Sequence, residues 1–264
     1  MNKLLNQTPV LDVRNVSKRF GGVAAVSNVS LHVMPGEIVS LIGPNGAGKT
    51  TTFNLISGVL PPTEGGIHFK GEDTAAWRSS DFARHGIGRT FQNLALFRHG
   101  TVVENLLVGR HVHFRYSVLE SLAFWGRPRR EEIAAREKIE QVIEFLEIEE
   151  LRDKPVSQLA YGQQKRVELG RALACEPELL LLDEIVAGMN REEKEDIARF
   201  TLDIRDEFGI AVLMIEHDMQ VVMDLSDRVY VLDFGVLIAQ GSPAEVAADT
   251  AVLRAYLGDE AAHA

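Results

Sequence analysis

The run Gly43-Pro44-Asn45-Gly46-Ala47-Gly48-Lys49-Thr50-Thr51 restricts the fold more than any other stretch of this chain. Its spacing, G-x-x-x-x-G-K-[ST], lets the backbone close into a concave nest of N–H groups, and that geometry is used where a buried strand runs into a helix. Both flanks fit. Glu37-Ile-Val-Ser-Leu-Ile42 is an apolar run of strand length, and Thr51-Thr-Phe-Asn-Leu-Ile-Ser57 continues as a helix. The expectation is a loop cradling phosphate oxygens, with the positive end of the following helix behind them. Lys49 would reach the β- and γ-phosphates of a nucleoside triphosphate, and the Thr50 hydroxyl would ligate Mg²⁺.

This loop alone fits kinases, GTPases and helicases equally well, so other segments must discriminate. Glu178-Leu-Leu-Leu-Leu-Asp183-Glu184 runs four apolar residues into two carboxylates. A buried parallel strand would deliver Asp183 to the mouth of the sheet to hold Mg²⁺ through water, and would leave Glu184 beside the γ-phosphate to activate a water. The competing reading is a core strand ending in a solvated acidic turn. Leu159-Ala160-Tyr161-Gly162-Gln163 opens a segment with helical spacing of Val167, Leu169, Ala172 and Leu173, which gives a second anion-attracting helix end. It finishes about twenty residues before Asp183.

In this order the segments resemble the ATP-binding cassette family, in which Leu159–Gln163 occupies the place of the signature Leu-Ser-Gly-Gly-Gln. The resemblance implies that the signature binds the γ-phosphate of a nucleotide held by a second cassette. It also assigns single residues. Gln92, in Gly88-Arg-Thr-Phe-Gln92, matches the glutamine that links Mg²⁺ and attacking water to a membrane partner. His217 matches the switch histidine that contacts the γ-phosphate, and Phe20 the aromatic that stacks on adenine. The implied fold is α/β: a P-loop NTPase with a mostly parallel core sheet, an N-terminal antiparallel β subdomain and an inserted α-helical subdomain. The expected ligands are ATP and Mg²⁺.

The signature variant, together with Ile215-Glu-His-Asp-Met219, Gly241-Ser-Pro243 and Arg254-Ala-Tyr-Leu-Gly258, is similar to the ATPase subunits of branched-chain amino acid importers. That resemblance implies a second ATPase subunit, two transmembrane permease subunits and a periplasmic binding protein as partners. It places the chain on the cytoplasmic face of the inner membrane. Urea, amides and aromatic compounds are the alternative cargoes. Three positions depart from the family pattern. Ala160 replaces the signature serine, Ile185 stands where proline is common and so frees a backbone N–H, and Asn190 replaces a common aspartate.

Periodicity supplies the organisation. The segment from Val10 to Val33 alternates as antiparallel strands do, Ile67–Gly71 continues that sheet, and Asp233-Phe-Gly235 reads as a hairpin turn. Ser242 and Pro243 cap a terminal helix. The expected layout is one cassette over residues 1–264, with an ATP-binding core at 1–93 and 166–264 and a helical subdomain at 94–165. Within 110–130, the apolar residues Phe114, Tyr116, Leu119, Leu122, Phe124 and Trp125 read as an amphipathic helix ending in a solvated basic run. His111 and His113 lack the further ligands zinc requires. Cys175 reads as a buried small residue.

Composition closes off other classes. With 28 basic and 38 acidic residues the net charge is −10, which disfavours a nucleic-acid surface. Forty-five per cent hydrophobic residues can fill a core, yet no run of 18 apolar residues occurs. A non-transport cassette ATPase would be expected to carry a tandem repeat or a long heptad arm, and neither is visible. A nucleotide-binding regulatory module that no longer turns over remains an open reading.

Overall fold

The computed structural model describes residues 8–90, 95–114 and 127–262. Two sheets frame it. In the antiparallel sheet, β1 (Leu11–Phe20) lies between β2 (Val23–Val33) and β4 (Glu64–Phe69), and β5 (Glu72–Asp73) extends the far edge. Leu11 and Val13 of β1 are buried at the two-residue period of a half-buried strand, and an irregularity at Asn15 (φ +50°) shifts the phase so that Val16 is buried next. The second sheet takes the order β10-β9-β3-β8-β7-β6. Its strands are β3 (Ile38–Ile42), β6 (Ile87–Arg89), β7 (Leu179–Asp183), β8 (Ala211–Ile215), β9 (Arg228–Asp233) and β10 (Val236–Gly241). All its pairings are parallel except the β9–β10 hairpin.

Strands β3, β7 and β8 are buried at every residue, which is why their sequences are unbroken apolar runs. Their side chains divide between two layers. Leu179, Leu181, Leu41 and Leu213 face the antiparallel sheet and Phe53 of α1 (Lys49–Ile56), while Leu180, Leu182, Val212 and Met214 face the helices on the other side. Burying each such side chain stabilises the fold by roughly 1.5–3 kcal/mol.

The other helices are α2 (Ser79–Arg84), α3 (Val102–Arg110), α4 (Arg127–Phe145), α5 (Tyr161–Leu173), α6 (Arg191–Phe208), α7 (Met219–Leu225), α8 (Pro243–Ala248) and α9 (Thr250–Ala262). Helix α3 starts at a reciprocal cap in which Thr101 and Glu104 exchange backbone-to-side-chain bonds of 2.8 and 3.2 Å. Asn190 caps α6 in the same way with Glu193, and Ser242 caps α8 as its sequence predicts. Helices α3 and α5 approach closely because of two glycines. A Cβ on Gly109 would meet the Arg171 carbonyl oxygen at 2.3 Å, and one on Gly170 would meet Leu106 and Leu146 at 2.9 Å.

Two sequence expectations need adjustment here. The basic run Arg127–Arg130 forms the first turn of α4, which ends at Phe145 and is followed by a separate 3₁₀ turn at Glu149–Leu151. Tyr116, Leu119, Leu122, Phe124 and Trp125 lie outside the described residues. Cys175 is half-buried just beyond α5, and the His113 ring donates from Nε2 to its carbonyl oxygen at 2.8 Å.

Candidate functional site

The glycine-rich loop joins β3 to α1 in the central sheet. Gly48 caps α1 in the left-handed region at φ +95°, and a Cβ there would lie 2.5 Å from the Ala25 carbonyl oxygen. Gly43, at φ +148°, is hemmed in more tightly, since its Cβ would fall 2.0 Å from the Leu232 carbonyl oxygen. The loop is thus held from two sides by β2 and the β9–β10 hairpin, with Gly235 donating from its N–H to the Ala47 carbonyl oxygen at 3.0 Å. Lys49 is buried, and its Nζ donates to the carbonyl oxygens of Gly43 and Pro44 at 2.7 and 2.8 Å. The ammonium is therefore fixed inside the curve of the loop. This is a cradle that only backbone can line, closed to side chains at two of its glycines and carrying one fixed cation, which fits polyphosphate.

Two strands away, β7 ends at Asp183, whose side chain is 3% exposed. Arg89 of β6 donates from Nη2 to Asp183 Oδ2 at 3.2 Å and from Nη1 to Ser57 Oγ at the end of α1. The Thr90 hydroxyl accepts from the Asp183 N–H at 3.1 Å. Burial raises the Asp183 carboxyl above the ordinary aspartate value and the nearby Glu184 adds to this, while Arg89 works in the opposite direction. Sequence reasoning gave Arg89 no part. Its only signal was its place three residues before Gln92.

Glu184 follows at φ +50°, and its N–H donates to the Ile215 carbonyl oxygen of β8 at 2.9 Å. His217, just beyond β8, comes within hydrogen-bond reach of it: Nε2 to Glu184 Oε1 is 2.8 Å. The two side chains are 45% and 17% exposed for His217 and Glu184, so the pair opens to solvent while its carboxylate is mostly sheltered. Glu216, also missed by sequence reasoning, directly precedes His217 at the end of β8. Its side chain is buried, burial pushes its carboxyl up to about 7, and its Oε1 accepts from the Val186 N–H at 3.2 Å.

Phe20 is half-exposed at the end of β1, where it pairs with Val23, two residues from the Ala25 carbonyl that abuts Gly48. Lys18 Nζ lies 5.5 Å from its ring centroid. Leu159–Gln163 sits elsewhere, against the turn that follows β7. A Cβ on Gly188 would meet the Tyr161 ring at 3.4 Å, and one on Gly162 would meet Glu193 at 2.3 Å. Ala160 occupies the N-cap of α5 and offers no side-chain oxygen, so half of a capping box forms: Gln163 Oε1 accepts from the Ala160 N–H at 3.1 Å. Gln92 lies outside the described residues. Asn190, the third departure, serves as the cap of α6.

Comparison with known proteins agrees with this arrangement. Residues 26–187 match the ABC transporter family, and residues 236–262 match the branched-chain amino acid ATP-binding cassette transporter family. The chain is 41% identical, over 95% of its length and 98% of the relative's, to the high-affinity branched-chain amino acid transport ATP-binding protein LivG of Escherichia coli (strain K12). Among solved structures, it superposes with TM-score 0.83 and 35% identity on an ATP-binding cassette of an ABC transporter in its ADP conformation, covering 95% of this chain and 99% of that one. A dimeric cassette in a post-hydrolysis state bound to ADP and Pi matches with TM-score 0.75 and 26% identity, covering 88% and 98%. Phosphate loop, strand-end carboxylates and histidine, and sequence kinship over nearly the whole chain lead to one assignment: the chain belongs to the ABC transporter family and is an ATP-hydrolysing cassette.

Proposed function

We propose that this cassette binds MgATP and couples its hydrolysis to uptake of branched-chain or related hydrophobic amino acids through separate permease subunits. The observation that carries the catalytic part is the Glu184–His217 pair at 2.8 Å, at the ends of adjacent strands and beside the strand that leads into the phosphate loop. Kinship to LivG and the match over residues 236–262 support the cargo class.

Phe20 stacks on adenine, and the N–H groups of Asn45–Thr51 with the Lys49 ammonium surround the phosphates. Thr50, Asp183 and Gln92 are the oxygen donors for Mg²⁺, a hard set suited to that ion. When bound, the ion neutralises charge on the phosphate oxygens. Glu184 accepts a proton from the attacking water, and His217 stabilises the charge that develops on the γ-phosphate. Leu159–Gln163 binds the nucleotide of a second cassette, identical or paralogous, in a pair, and the dimeric neighbour supports such pairing.

The ATP-binding core spans 1–93 and 166–264, and the helical subdomain spans 94–165. An open groove of 410 Å³ runs between them, lined by Phe82, Val108, Arg171 and Ser57 among others, and it supports permease docking there. Among the described residues no helix is long and apolar enough to cross a membrane, so residence at the inner membrane's cytoplasmic face would come through those subunits. A periplasmic binding protein delivers the cargo on the far side.

The test is MgATP-driven leucine uptake by the assembled transporter in membrane vesicles. Uptake that disappears in Lys49→Ala and Glu184→Gln supports the reading. Persistent hydrolysis with no hydrophobic amino acid transported would remove the cargo assignment, and undiminished uptake in Gln92→Ala would remove the Gln92 linkage.

A further inference from the structure

Glu216 takes no part in the chemistry above, yet its carboxyl group is enclosed at the heart of the site with the residue 3% exposed. Burying an acid costs several kcal/mol unless partners replace its water. Its partners are backbone. Val186 donates from its N–H to Glu216 Oε1 at 3.2 Å, and the neighbouring amides of Ile185 and His217 favour the same carboxylate. These three amides belong to the two turns that carry Glu184 and His217. One carboxyl group thus bridges the C-terminal ends of β7 and β8 beyond the last ladder contact between them, the bond from Glu184 N–H to the Ile215 carbonyl oxygen.

Two features show what such a bridge is for. Glu184 stands in the left-handed region at φ +50°, a conformation that a residue with a Cβ keeps only when its surroundings enforce it. Ile185 has an N–H that proline would lack, and that amide favours the Glu216 carboxylate. Carboxyl oxygens offer about four lone-pair sites to the amides around them, whereas an amide of the same shape would turn an NH₂ towards groups that also donate.

We propose that Glu216 is a positioning residue, a carboxyl clamp that holds the Glu184 turn against the His217 turn and so fixes the water-activating pair in register. The inference rests on the roles given to Glu184 and His217 under Proposed function. Removing the clamp leaves the Val186 amide without its acceptor and the left-handed turn without its restraint. The phosphate loop is untouched, because its contacts run to β2 and the β9–β10 hairpin instead.

The experiment compares wild type, Glu216→Gln and Glu216→Ala in the assembled transporter, reading kcat, KM for ATP and uptake, with Glu184→Gln as control. The expected result is kcat lower by about tenfold in Gln and about a hundredfold in Ala, with KM within about twofold, since displacement of about 1 Å costs on that order. Unchanged kcat, or kcat and nucleotide affinity falling together with the folded fraction, overturns the clamp. Amide hydrogen exchange in the wild-type protein tests the clamp without any variant: slow exchange at Val186 is expected, and an unprotected amide there overturns it even if neither variant folds. Wild-type-like turnover in Glu184→Gln would instead discard the catalytic reading, and the exchange rate at Val186 would still decide whether the clamp exists.

Discussion

At Glu216 a single side chain makes the site's stability depend on pH. The folded environment raises its carboxyl from the ordinary 4.5 to about 7, through burial and the adjacent Glu184 carboxylate, with the amides of Val186, His217 and Ile185 opposing. A raised folded value means that stability is fully present below the unfolded pKa and is lost as pH rises through the folded one. Relative to wild type, Glu216→Gln should therefore gain on the order of 2–3 kcal/mol between pH 5 and pH 8, read from urea midpoints at each pH. Ala160→Ser should also stabilise. Ala160 already has extended N-cap geometry (φ −60°, ψ 157°), and Gln163 has formed the reciprocal half of the box. The added hydroxyl is worth about 1 kcal/mol and a rise in Tm of about 2–4 °C, measured by thermal unfolding. Burial pushes the Cys175 thiol up to about 11, so alkylation at pH 7 should be slow until the chain unfolds.

At the scale of elements, the β3–loop–α1 unit leaves no room for side chains at its glycines. Gly43→Ala would drive a Cβ into the Leu232 carbonyl oxygen, 2.0 Å away, and shift the loop off the β9–β10 hairpin. Nucleotide affinity should fall by at least about a hundredfold, measured by equilibrium binding, because the donors that converge on phosphate are the loop's own amides. In helix α5, the Lys165–Glu168 pair has side chains 0% exposed, with Nζ to Oε2 at 3.2 Å. Lys165 also lies beneath Tyr161, 6.0 Å from its ring centroid. Lys165→Ala removes one partner of a buried pair and should cost about 3–5 kcal/mol in chemical denaturation. The boundaries of such elements were mostly legible: β3, β7 and β8 are apolar runs because both faces are covered. The length of α4 was not, since its first turn is a basic run that solvated surface and helix start accommodate equally.

For the whole molecule, the proposed pairing of cassettes has a kinetic consequence. The glycine-rich loop is braced by β2 and the β9–β10 hairpin, whereas Leu159–Gln163 packs on the turn after β7, and under the proposed function each serves a different nucleotide. If the chain pairs with itself, ATP turnover should rise more than linearly with protein concentration. Linear turnover by a monomer, checked by light scattering, would contradict completion by a second copy.

The sequence determined by itself that this chain handles a nucleoside triphosphate on a parallel sheet, because phosphate is recognised by backbone amides and the glycines that expose them are adjacent in the chain. It also named Asp183 and Glu184, which end an apolar run that a strand must bury, and His217 through the resemblance to the cassette family. What the tertiary structure decided is which of these residues touch. Arg89 meets Asp183, His217 meets Glu184, and Glu216 receives the amide of Val186, because β6, β7 and β8 lie side by side in the sheet. Strand order is a property of long-range packing, and local periodicity holds no record of it.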